Sequence, residues 1–131
     1  MTINHAYAKY REQSVMTASP GDLVLMLYDG CLKQMRLARA ALGEGGMETA
    51  SNALMKAQDI TSALMQGLDF RYPLSDNLMS LYEFIHYELV MTNVTKDPAR
   101  ITPIEEMVAD LRATWEQAVR ESRGQVRAAG E

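Results

Sequence analysis

The chain has 131 residues, 47% hydrophobic and 23% charged, with a net charge of −4. That balance fits one domain with a real core and excludes a disordered chain, while the acidic excess speaks against non-specific nucleic-acid binding, which needs a basic face to release counterions. The single Cys31 excludes an internal disulfide and a multi-cysteine zinc site, and no apolar run approaches the ~20 residues of a membrane span.

Residues Met1 to Val15 carry His5, Lys9, Arg11 and Glu12 and lack the apolar stretch of a secretory signal, so a cytoplasmic protein is expected. Within an arm over residues 1–18, Ile3, Ala6, Tyr7 and Tyr10 repeat at helical spacing. The arm is predicted to form a short turn whose aromatics lie on an apolar surface.

Ser19-Pro20-Gly21-Asp22 reads as a helix start, with Ser19 as N-cap and Pro20 at the first helical position. The pattern runs to Leu42, and Gly43-Glu44-Gly45-Gly46 ends it. Val24, Leu27, Cys31, Ala38 and Leu42 share one face of this helix. Leu25, Tyr28, Leu32 and Met35 extend that face on one side, Leu23 and Ala41 on the other, and Met26 and Leu37 lie further round. Only Asp29, Lys33, Arg36 and Arg39 remain as a polar strip. Roughly 200° of the circumference is therefore apolar, against a usual stripe of ~100° or somewhat more. The surplus is predicted to await a partner.

A second helix carries Ala50, Ala53, Leu54, Ala57, Ile60, Thr61, Leu64 and Leu68 on one face, with Lys56, Asp59 and Gln66 opposite. After a connection through Pro73, Ser75 or Asp76 is expected to cap a third helix whose core face is Leu78, Leu81, Tyr82, Ile85 and Leu89. That helix is also over-supplied, with Met79, Phe84, Tyr87, Val90, Met91 and Val94 outside the stripe. Asp97-Pro98 stops it. Thr102-Pro103-Ile104-Glu105 reads as a capping box that starts a fourth helix. There Ile104, Met107, Val108, Leu111, Trp115 and Ala118 face inward, and the helix is expected to end near Gly124. Four helices with short loops specify an all-α antiparallel bundle over residues 19–124, with 125–131 as a frayed tail.

No catalytic, metal or cofactor site is predicted. The glycines at 43, 45 and 46 end a helix and lack the Lys-Ser/Thr of a phosphate loop. Glu83-Phe84-Ile85-His86 matches half a di-iron signature, but such a site needs a second Glu-x-x-His and two further inward carboxylates. A phospho-accepting His86 is the enzymatic alternative.

Tyr7-x-x-Tyr10, Thr17-Ala18-Ser19-Pro20 and Leu25-Met26-Leu27-Tyr28-Asp29-Gly30 resemble motifs of the flagellin export chaperone family (FliS-type). Asn77-Leu78-x-x-Leu81-Tyr82, Lys96-Asp97 and Leu111-Arg112-x-x-Trp115 follow in the family's order, so the likeness spans Ala6 to Ala118. The loop Phe70-Arg71-Tyr72-Pro73 departs from the family's usual turn, and Met91-Thr92-Asn93 stands where an Ala-Asn pair is common. The resemblance implies a cytoplasmic four-helix bundle that binds the disordered C-terminal segment of flagellin. It also implies that the complex blocks premature polymerisation and keeps the client ready for the export gate. The family's arm covers the groove until a client arrives.

Leu25, Met26, Leu32, Met35, Met79, Tyr87 and Met91 are the candidate client-groove residues, and Ile3, Tyr7 and Tyr10 the candidate cover. Helix-in-groove recognition needs such an apolar, adaptable surface. A monomer that pairs with its client is expected. A structural homodimer closed by the surplus faces is the alternative, since such interfaces resemble a bisected core.

Overall fold

A computed structural model describes residues 20–130, with side chains as far as residue 124. Ser19 and the arm candidates Ile3, Tyr7 and Tyr10 lie outside the described residues. Among the described residues there are four α-helices: α1 (Pro20–Gly43), α2 (Met47–Gln66), α3 (Leu74–Thr95) and α4 (Ile101–Gly130). A 3₁₀ turn, Pro98–Arg100, leads into α4. The all-α bundle expected from the periodicity is the fold observed.

The α1–α2 turn is tight because Gly45 adopts a left-handed backbone, φ 77°, where a side chain would be strained. Gly46 N–H then donates to the Ala41 carbonyl at 2.8 Å, satisfying one of the free groups at the end of α1. Helix α2 is short-toothed on its inner face. Ala50, Ala53, Ala57 and Ala63 are buried beside Leu54, Ile60 and Leu64, which lets α1 and α3 approach closely on either side. Leu68 falls beyond the end of α2 and packs against the core from the connection.

Two capping expectations are corrected. Helix α3 starts at Leu74, with Pro73 before it and no side-chain cap. Ser75 is buried in the first turn, where its hydroxyl reaches back to the Asp69 carbonyl at 2.5 Å, and Asp76 is exposed beside it. The connection is instead held by Asp69, whose carboxylate accepts from the Arg71 backbone and guanidinium. Arg71 keeps that carboxyl below its ordinary range.

Thr102 is likewise no cap, because helical backbone already begins at Ile101. The side chain that accepts a free N–H is Asp97, from Ala99 N at 3.0 Å. Glu105 is drawn away to Arg36 and Arg39 of α1. At the end of α3, Lys96 takes a left-handed conformation (φ 58°), and its ammonium donates to Ser51 Oγ and the Asn93 carbonyl, each at 2.7 Å. That fixes where α3 stops. Helix α4 does not end near Gly124 but continues through Gly130. Gly124 has no positive φ, and one helical glycine costs only ~1 kcal/mol, too little to end a helix by itself.

Candidate functional site

Four helices make four neighbouring seams, and these are unequally closed. Helices α1–α2 and α2–α3 are sealed by the buried apolar faces. The α1–α4 seam is closed by core residues and by ion pairs along its edge. Asp22 meets Arg123, Asp29 meets Arg112, and Arg36 with Arg39 meets Glu105. Asp22, Asp29 and Arg36 are seven residues apart, so each returns to the same edge of α1 after two turns. Asp29 and Glu116 raise the pKa of the Arg112 guanidinium further above its ordinary value.

The fourth seam, between α3 and α4, is fastened mainly at one end, where Arg100 bonds both oxygens of Glu88 at 3.2 Å. Towards the start of α3 the two helices part and leave an apolar groove of about 360 Å³. Its α3 wall is Leu74, Asn77, Leu78 and Leu81, and its α4 wall is Met107, Asp110, Leu111, Thr114 and Trp115. Tyr28 of α1 forms the floor.

The floor is rigid. Tyr28 and Tyr82 are buried, and their hydroxyls meet at 2.5 Å with ring centroids 6.4 Å apart. Burial raises the pKa of both phenols above the ordinary tyrosine value. Trp115 stands edge-on to Tyr28, centroids 6.5 Å apart at 79°, and its indole N–H donates to the Gly21 carbonyl at 3.1 Å. The groove's mouth is therefore tied to the first turn of α1.

None of the seven candidates predicted from sequence lines this groove. Leu32 (5% exposed) and Met35 (0%) are corrected to core residues, because both lie within the inward arc of α1. Leu25 and Met26 are half-buried on α1, as are Met79 and Met91 on α3, and Tyr87 is exposed. At ~100° per residue, Met79 falls on the flank of α3 that also carries His86, which bonds to Thr61 of α2. Tyr87 and Met91 lie ~80° and ~120° further round the helix from Met79.

Leu81, expected in the core, is 37% exposed on the groove wall. Residues read as core, namely Tyr28, Leu78, Met107, Leu111 and Trp115, are the ones that build the site. Periodicity shows which faces are apolar, but not which seam stays open. The available signal was the one aromatic cluster, Tyr28 with Trp115, on helices that must be neighbours.

Glu83 is exposed, and among the described residues no three His, Cys, Asp or Glu side chains gather as a metal site. The Thr61 hydroxyl lies 2.9 Å from both the Gln58 carbonyl and His86 Nδ1, so His86 is hydrogen-bonded to α2. No helix among the described residues is long and apolar enough to cross a membrane.

The sequence profile of the family described as flagellar protein FliS matches residues 3–122. The flagellar secretion chaperone FliS of Bacillus subtilis is 38% identical over 123 residues, covering 94% of this chain and 92% of that protein. The flagellar secretion chaperone FliS of Salmonella typhimurium is 33% identical over 116 residues, covering 86% of each. A crystal structure described as a flagellar chaperone from bacteria superposes with a TM-score of 0.74 at 24% identity, covering 89% of this chain and 97% of that one. That likeness supports the fold. The profile and the two relatives fix the lineage, and the chain belongs to the FliS family of flagellar secretion chaperones.

Proposed function

We propose that this protein is a cytoplasmic chaperone for flagellin, and that the groove between α3 and α4 takes an amphipathic piece of flagellin's disordered C-terminal segment. Covering that segment would stop it from polymerising early and keep it extended for the export gate. The observation that carries the reading is the open seam between α3 and α4: a preformed apolar channel with an aromatic floor. A groove between two helices suits a third helix, whose apolar stripe replaces the missing contact.

The magnitudes are adequate. Covering ~1,000 Å² of apolar surface yields ~25 kcal/mol gross at ~25 cal/mol per Å², and most of it is offset by ordering the client and by association. Micromolar to nanomolar affinity follows without a large charged interface.

The bond from Trp115 to Gly21 sets the start of α1 beside the groove. That supports a cover made by Ile3, Tyr7 and Tyr10 when no client is bound. An internal cover lowers apparent affinity by the fraction of time the groove is shut.

Calorimetry with the C-terminal segment of the same organism's flagellin tests the function. A stoichiometric complex is expected, and no binding at tens of micromolar refutes it. A second reading, a homodimer of the free protein, draws on Phe84 (49% exposed), Tyr87 (57%) and Val94 (71%) on α3. Light scattering that shows a concentration-independent dimer would favour it.

A further inference from the structure

We infer that the groove selects a client helix carrying a lysine or arginine beside its apolar stripe, and that Asp110 is the residue that reads this cation. The inference rests on the groove being the client site. Asp110 is the one charged residue among those lining it. Several acidic side chains that border other seams are matched with arginines, as in Asp29–Arg112, Glu88–Arg100 and Glu105–Arg39, whereas others on outward faces, such as Glu48, Asp76 and Glu83, form no ion pair among the described residues. Asp110 has no ion pair or hydrogen bond among the described residues, and neither does its neighbour one turn back, Glu106.

Two like charges four residues apart on a helix repel mildly. Water tolerates that now, because Asp110 is exposed. A client laid between Leu81 and Leu111 would strip water from the rim, and a carboxylate desolvated without a partner opposes binding. A cation at that register removes the cost and relieves the repulsion. Thr114, one turn on, lines the same wall and offers a hydroxyl to the same donor. No lining residue carries a positive charge, so an acidic residue on the client would find no counterpart.

Charge complementarity thus fixes the register of an otherwise greasy contact. Apolar stripes slide; a single paired carboxylate does not.

The test is calorimetry of the full chain with the flagellin C-terminal segment. Asp110→Asn is expected to weaken binding about threefold and to flatten its salt dependence. Asp110→Lys should weaken it about tenfold, and a Lys→Glu or Arg→Glu change in the client should restore affinity to Asp110→Lys alone. Melting should not fall in either variant, since residue 110 is exposed and forms no ion pair among the described residues, and a lysine there can pair with Glu106.

If Asp110→Lys binds like the unaltered chain while Leu111→Asp abolishes binding, the inference is overturned and the groove reading stands. If both variants bind normally, the groove is not the site and both readings fall. An unaltered chain that binds no flagellin also overturns both.

Discussion

The hydroxyls of Tyr28 and Tyr82 meet at 2.5 Å beneath the groove, each the other's partner in a buried position. Removing one should cost more than removing both. Tyr82→Phe leaves the Tyr28 hydroxyl buried and unpaired, which costs about 1–3 kcal/mol. The double variant Tyr28→Phe, Tyr82→Phe keeps both rings and should recover part of that loss. Urea unfolding of the four proteins of this cycle measures it, and additive losses would show that the bond contributes nothing.

The same burial predicts an alkaline limit to stability. Cys31 is fully buried, and its thiol is pushed up from 9.0 to about 12. A group whose pKa is raised by folding stabilises fully below its unfolded value and loses that contribution as pH rises towards the folded one. Stability should therefore be flat with respect to these groups through neutrality and decline above about pH 9, steepening from about pH 10 as the tyrosines add to it. Cys31→Ala should remove the earliest part of the decline, at some loss of packing. Thermal melts across alkaline pH test this, and an unchanged onset in Cys31→Ala would refute it.

The 3₁₀ turn and the start of α4 allow a comparison between Asp97, which caps a free N–H, and Thr102, which does not. Asp97→Ala should cost about 1 kcal/mol, because Asp97 holds the Ala99 N–H, whereas Thr102→Ala should stay within about 0.5 kcal/mol. Denaturant midpoints decide it, and the reverse order would restore the capping box to Thr102.

Along the α1–α4 edge, Arg112→Met should destabilise by about 1 kcal/mol and make the melting temperature less sensitive to salt. Arg112 bridges Asp29 and Glu116, but the pairs are partly exposed and so individually weak. Melting at low and high ionic strength reads both effects.

Core and site should separate under mutation. Met35→Ala is expected to cost about 2–5 kcal/mol of stability, since the side chain is buried. Leu111→Asp, on a half-buried wall position, should cost less stability and reduce client affinity by more than about tenfold. Met35→Ala that impairs binding while leaving melting unchanged would reverse the assignment.

The helices and most of the core were legible in the sequence because each signal was local. Leu27, Cys31, Leu54, Ile85 and Ile104 declare their faces through spacing alone, and all are buried. Gly45 declares its turn. The groove was not legible in the same way. Whether Leu81 and Leu111 close on each other or stand apart depends on how α4 leans, and that is set by distant partners such as Arg100 with Glu88 and Arg112 with Asp29. The caps failed for a related reason. Glu105 matches the motif, but the arginines of α1 compete for its carboxylate and win.

Trp115 is the only tryptophan in the chain, and it lines the groove with its ring against Tyr28 and its N–H on the Gly21 carbonyl. Nature has thus left one optical probe at the place of interest. Its emission should shift to the blue when a client excludes water from the groove, with no label attached. The same signal reports on the first turn of α1, so one wavelength follows both occupancy of the channel and the state of the chain that leads into it.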